Sequence, residues 1–179
     1  MSKKVLVLSA SPRRNGNSDI LCEEFIKGAG EVGHSVEKIF LGDKKINYCV
    51  ACDGCKINNG VCVHKDDMSE ILEKMIDADV IVMATPVYFY TMDAQMKTLI
   101  DRTVARYTEI KNKDFYIIAT AAVGSKALLE RTIDGFRGFM DCLDGAKEKG
   151  VVYGTSAWQK GEIKGSKAME DAYKMGKAI

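Results

Sequence analysis

The chain predicts an α/β fold, a doubly wound parallel sheet with helices on both faces, and three observations carry that expectation. Short, continuous apolar runs such as Val80-Ile81-Val82-Met83-Ala84 recur along the sequence, as expected of strands buried on both sides. Between them lie stretches of ten or more residues with apolar side chains at helical spacing. The two types alternate as five strand-helix units across 179 residues, which gives a five-stranded sheet most simply wound in the order 2-1-3-4-5 and one domain spanning residues 1–179.

The first strand is Lys4-Val5-Leu6-Val7-Leu8, followed by a loop and a helix whose apolar face carries Ile20, Leu21, Phe25, Ile26 and Ala29. Gly28, Gly30 and Gly33 are expected to end that helix before a second strand near Val36 to Leu41. A cysteine-rich segment interrupts the alternation. From Asp66 a helix places Met68, Ile71, Leu72, Met75 and Ile76 on one face and leads into the third strand at Val80. A helix over Gln95 to Arg106, a strand over Phe115 to Thr120, a helix from Ser125 to Leu143, a strand at Val151-Val152-Tyr153 and a final helix from Lys167 complete the series.

Composition narrows the function. Hydrophobic residues make up 46% and suffice for a layered core, while 26 basic residues against 25 acidic ones leave a formal charge of +1. That balance provides no field for nucleic acid or for a membrane surface, so small molecules or proteins are the expected partners. Met1-Ser2-Lys3-Lys4 precedes an apolar run too short for a secretory signal, and no run reaches membrane-spanning length. The protein therefore reads as cytoplasmic, with its six cysteines as thiols or ligands rather than structural disulfides.

Ligands of such sheets bind beyond the carboxyl ends of the strands. After the first strand comes Ser9-Ala10-Ser11-Pro12-Arg13-Arg14-Asn15-Gly16-Asn17-Ser18, a layout suited to a phosphate. Hydroxyl and amide donors on Ser9, Ser11, Asn17 and Ser18, the cations of Arg13 and Arg14 and a helix N-terminus capped by Ser18 would surround one anion. The loop lacks the Gly-Lys-Ser or Gly-Lys-Thr ending of nucleotide loops and the Gly-x-Gly-x-x-Gly of dinucleotide folds, so a mononucleotide phosphate fits better. After the third strand, Thr85-Pro86-Val87-Tyr88-Phe89-Tyr90 joins a fixed proline to three aromatics, and after the fourth comes Ala121-Ala122-Val123-Gly124-Ser125. A planar ring could lie between those two loops.

Four cysteines, Cys49, Cys52, Cys55 and Cys62, fall within fourteen residues in a C-x2-C-x2-C-x6-C pattern. Three thiolates at two-residue intervals suit one face of an iron-sulfur cluster better than a tetrahedral zinc. Free thiols, a redox disulfide and plain loop packing stay open beside the cluster. Cys22 and Cys142 read as small buried apolar groups, His34 and His64 as solvated, Arg102 and Arg106 as a solvated helix face, and Trp158 as an interface side chain.

The Ser9 to Ser18 segment, the Thr85-Pro86-Val87-Tyr88 turn and the chain length together resemble the flavodoxin-like NADPH-dependent FMN reductase family, and the compact cysteine block is similar to its iron-sulfur flavoprotein branch. The resemblance implies that FMN is the cofactor and NAD(P)H its electron donor, with a 4Fe-4S cluster on Cys49, Cys52, Cys55 and Cys62 as a further cofactor. Ser9, Ser11, Arg13, Asn17 and Ser18 would then hold the FMN phosphate. Pro86, Val87, Tyr88 and Phe89, with Ala122, Val123 and Gly124, would hold its ring. The third loop is poorer in glycine than in many members. The expected partners are a small-molecule donor and acceptor, with a ferredoxin-like carrier as the protein alternative, in a homodimer or homotetramer. Three functions follow in order: an FMN-dependent NAD(P)H oxidoreductase, an iron-sulfur electron carrier, and a flavin-binding module without turnover.

Overall fold

The computed structural model describes residues 1–179. Strands β1 (Lys4–Ser9), β2 (Ser35–Phe40), β3 (Val80–Tyr88), β5 (Asp114–Thr120) and β6 (Lys147–Gly154) run parallel in the order β2-β1-β3-β5-β6. Among the parallel strands alone this is the expected 2-1-3-4-5 winding. A two-residue strand, β4 (Thr91–Met92), pairs antiparallel with the end of β3 and has no counterpart in the sequence reading. The helices are α1 (Asn17–Glu31), α2 (Gly54–Ile57), α3 (Met68–Asp77), α4 (Ala94–Arg102), α5 (Glu130–Met140) and α6 (Lys167–Lys177). None is long and apolar enough to cross a membrane.

Period-two alternation divides the central strands between two cores. On β3, Ile81 and Met83 join the larger core beneath α3, α4 and α5, while Val80, Val82 and Ala84 join the core under α1 and α6. The edge strands depart from the apolar pattern: β2 buries only Ile39, and β6 begins with Lys147-Glu148-Lys149, all exposed, charges that discourage further strand pairing. Only the second half of β6 was visible as an apolar run.

The α1 glycines correct the sequence reading. Gly28 and Gly30 lie inside the helix, which runs on to Glu31, and the break falls at Gly33, whose φ of +88° suits a residue without Cβ. Gly28 has a packing role. A Cβ there would collide with the Tyr173 carbonyl of α6, and one on Gly176 would collide with the Phe25 carbonyl of α1, so the pair lets the two helix backbones touch. Two other helices are shorter than expected. Beyond Arg102 and before Glu130 the chain turns as single 3-10 turns, Thr103–Ala105 and Lys126–Leu129.

Candidate functional site

The loop between β1 and α1 is folded by its own side chains. Ser9 Oγ donates to Asp19 Oδ1 at 2.8 Å, and the other Asp19 oxygen accepts the Asn15 N–H at 2.8 Å. Burial pushes the Asp19 carboxyl up, but the bonds from Lys38, Ser9 and Asn15 outweigh it and hold the group below its ordinary range. Asn15 is left-handed at φ 55°, a conformation asparagine tolerates. Ser11 Oγ donates to the Arg13 carbonyl at 3.0 Å and accepts the Arg13 N–H at 3.2 Å. A Cβ on Gly16 would stand 2.6 Å from Ser11 Oγ and 2.8 Å from the Arg13 carbonyl, so the loop closes this tightly only around glycine.

That architecture commits two of the expected phosphate donors elsewhere and moves a third off the helix cap. Ser9 is fully buried behind the loop with its hydroxyl committed to Asp19. Asn17 uses its whole amide on the segment after β6: Nδ2 donates to the Ala157 and Gln159 carbonyls, and Oδ1 accepts from Gly161 N and Ile163 N. Ser18 is not the cap. Gly16 precedes the helix, and Ser18 lies in the first turn with its hydroxyl buried and without a partner. An orphaned buried hydroxyl beside the unpaired N–H groups of a helix start is a donor waiting for an acceptor. Arg13 reaches the same place without a carboxylate partner, whereas Arg14 turns away to pair with Asp43 and to stack on Phe40, 4.8 Å from its ring centre.

These groups form the polar end of a cavity of about 550 Å³ at the carboxyl ends of the strands. Its other walls come from Pro86 to Tyr90, from Thr120 to Val123 with Leu128, and from Ala157 and Trp158 beyond β6. The structure thus brings together Ser11, Arg13, Asn17, Ser18, Pro86, Val87, Tyr88, Phe89, Ala122 and Val123, and leaves out Ser9 and Gly124. Gly124 serves from behind, where a Cβ would come within 3.2 Å of Ser156 Oγ. The Ser156 N–H donates to the Val123 carbonyl and the Ala157 N–H to the Ala121 carbonyl, which fixes the last two loops to each other. Trp158, expected at an interface, lines the cavity while remaining largely exposed.

Pro86 continues β3 rather than ending it. Pairing of β1 with β3 stops at Ser9–Ala84, and the proline stands two residues further on, paired only toward Thr120 of β5, where a missing N–H is tolerated. The chain then reverses through Phe89 and Tyr90 into β4, with Tyr88 opposite Thr91. Both turn residues have positive φ, 49° and 65°, as a two-residue hairpin requires, yet neither is the glycine or asparagine such turns favour. The strained tip holds the Phe89 ring 99% exposed at the cavity mouth, with Arg131 over Tyr90 at 5.5 Å.

The cysteines occupy a different region. None of the four lines the cavity, all are free thiols, and no three cysteine, histidine or acidic groups lie close enough to hold one metal ion. The loop turns sharply instead, with positive φ at Ala51, Asp53, Asn59 and Gly60. Its end is tied down by Arg102, which donates to the Asn47 carbonyl at 2.6 Å, to both Asp66 oxygens at 2.7 and 3.0 Å, and to Cys62 Sγ at 3.4 Å. Arg102 is buried, against the expectation of a solvated face, because Asp66 meets it as a buried bidentate partner. Burial raises the Asp66 carboxyl, and the bonds from Arg102 and Asn47 reverse that and hold it far below the usual range. Cys142, expected inside, is exposed; Cys22 is buried, and burial pushes its thiol up to about 12.

The cavity thus joins an end with an unpartnered hydroxyl and a cation to an aromatic end, and comparison with known proteins gives the chain a family. Residues 3–148 match the model of the family described as NADPH-dependent FMN reductase. An iron-sulfur flavoprotein of Methanocaldococcus jannaschii is 44% identical over 100 residues, which are 56% of this chain and 51% of the relative, so the chain spans about half the length of that protein. A second iron-sulfur flavoprotein of the same organism is 31% identical over 175 residues, covering 94% of this chain and 87% of the relative. Among solved structures, an azoreductase from Bacillus anthracis superposes with a TM-score of 0.78 over 100% of both chains at 20% identity, a likeness of fold. The chain belongs to the NADPH-dependent FMN reductase family, in its iron-sulfur flavoprotein branch.

Proposed function

We propose that this chain binds FMN and works as an NAD(P)H-dependent oxidoreductase that passes electrons to a small acceptor. The observation that carries the reading is the orphaned hydroxyl of Ser18, buried at a helix N-terminus in the polar end of a cavity whose opposite walls are apolar and aromatic. When bound, FMN supplies a ring that accepts a hydride and releases electrons singly or in pairs. The chain supplies the rest. Ser18, Arg13 and the first N–H groups of α1 receive the phosphate, Ser11 closes the loop around it through the Arg13 backbone, and Asn17 holds the segment after β6 against them. Pro86, Val87, Tyr88 and Phe89 with Ala122 and Val123 flank the ring and exclude water from its faces.

The cysteine spacing and the names of the iron-sulfur relatives favour a second reading, in which Cys49, Cys52, Cys55 and Cys62 hold a 4Fe-4S cluster and the protein is an electron carrier. The present arrangement of the loop does not fit a cluster, since it gathers no three of those thiols; holding one would require the thiols to be brought together.

Anaerobic purification followed by iron, acid-labile sulfide and FMN assays on one sample separates the two, and NADH or NADPH is then added to the same protein. The oxidoreductase reading expects one FMN per chain and bleaching of the flavin band near about 450 nm by one of the two donors. About four irons per flavin would establish the carrier. Bound flavin that neither donor bleaches would leave the binding module.

A further inference from the structure

Behind the proline turn lies a carboxyl group that no charge accompanies. Asp93, 1% exposed, caps α4 by accepting the Met96 N–H on Oδ1 at 3.1 Å, while its Oδ2 is buried without any partner. The other contact is with Thr85, also fully buried. Thr85 Oγ1 accepts the Asp93 N–H at 3.0 Å and has two acceptors within reach of its single proton, the Pro86 carbonyl at 2.8 Å and Asp93 Oδ1 at 3.2 Å. One hydroxyl proton cannot serve both at full strength.

We propose that Asp93 is a positioning residue for the cavity wall, its protonation deciding whether Thr85 bonds the Pro86 carbonyl or the Asp93 carboxylate. With Asp93 neutral, the Thr85 proton goes to the Pro86 carbonyl and braces the turn. With Asp93 ionised, the carboxylate is the stronger acceptor and draws that proton away. Pro86 and Val87 line the cavity, so the exchange is felt where the ring would lie.

The surroundings make the exchange accessible near neutral pH. Burial pushes the carboxyl up to about 7, against the smaller pull of the Met96 and Thr85 hydrogen bonds, and no charged group contributes. The charges on the neighbouring elements are engaged elsewhere. On α4 itself Lys97 pairs with Asp101 and Arg102 with Asp66; on the turn at 41–43 Asp43 pairs with Arg14; on α5 Glu130 meets Arg137 and Tyr153, and Arg131 lies over Tyr90.

The consequence for FMN rests on the function proposed above and has a definite sign. A ligand that covers the cavity and brings negative charge makes ionised Asp93 still less favourable, so by linkage FMN binds more tightly when Asp93 carries its proton.

The test uses carbon-13 labelled full-length protein and the Asp93→Asn variant, which keeps a good helix cap but cannot ionise. The expected result is one carboxyl titrating near pH 7, with the Pro86 carbonyl shift moving at the same midpoint, both absent in D93N. Added FMN should bind at least threefold more weakly above that midpoint than below it in the parent, relative to D93N at the same pH values. A carboxyl that titrates below pH 5, or a Pro86 shift or affinity profile unchanged in D93N, overturns the proposal. If FMN binds at no pH, the function proposed above fails, and the Pro86 titration still judges Asp93. Should D93N not fold, Asp93→Ser, also a cap former, takes its place.

Discussion

Ser18 and Asn17 are adjacent in sequence and do opposite work, and that difference is measurable. The Ser18 hydroxyl has no partner within the protein, so Ser18→Ala removes nothing the fold uses. It should leave the melting temperature unchanged while weakening FMN binding by about 1.5–3 kcal/mol, roughly 10- to 150-fold, the usual worth of a hydrogen bond to a charged group. Asn17→Ala instead strips partners from two carbonyls and two N–H groups of the segment after β6. Thermal melts should show it destabilised by about 1–3 kcal/mol, with FMN affinity falling as a by-product. Sequence showed that both side chains can bond a phosphate. It could not show that Asn17 is already engaged 140 or more residues away, because a long-range hydrogen bond leaves no local pattern. Asp93 is illegible in sequence for a related reason: one aspartate before a helix reads as a cap, and its burial depends on what the fold lays over it.

At the scale of elements, the hairpin tip and the Arg102 anchor each give a prediction. Phe89 and Tyr90 hold left-handed conformations that suit asparagine and glycine. Replacing them together, Phe89→Asn with Tyr90→Gly, should relieve strain and raise stability by about 1–2 kcal/mol in urea titration, while removing two rings from the cavity mouth and weakening flavin binding. A stability loss would mean that the rings pack more than they strain. Arg102→Met should cost about 3–5 kcal/mol, since it leaves Asp66 buried and uncompensated. The Asp66 carboxyl lies below its unfolded value, so its contribution is present above about pH 4 and fades as the pH falls through the folded value; acid unfolding of the parent should show that loss and R102M should not. These elements were only half legible. The helical spacing around α4 was visible in the sequence, but a basic residue at a helix end reads as solvated until the fold brings Asp66 and Asn47 across from the cysteine segment.

For the whole molecule, alternation of apolar runs and helical spacing was enough to read the sheet order, because parallel strands buried on both faces leave long apolar signatures in sequence. What escaped lies where that signature weakens: the charged start of β6, the two-residue β4, and the Gly28–Gly176 contact, whose glycines look like helix breakers until α6 is laid on α1. Gly28→Ala should lower stability by at least about 2 kcal/mol through overpacking against backbone, which cannot shift as a side chain can. The site repeats this division. Three loops at the strand ends were expected to converge and do, while a fourth, carrying Ala157 and Trp158, joins them.

The central claim is that the cavity between these loops receives FMN with its phosphate at Ser18. The most direct measurement is a titration of flavin-free protein with FMN, followed by quenching of flavin fluorescence, for the parent and Ser18→Ala side by side. The account predicts saturable binding of one FMN per chain in the parent and a dissociation constant at least about tenfold higher in the variant. Absence of binding in the parent, or equal affinity in the two proteins, would contradict it.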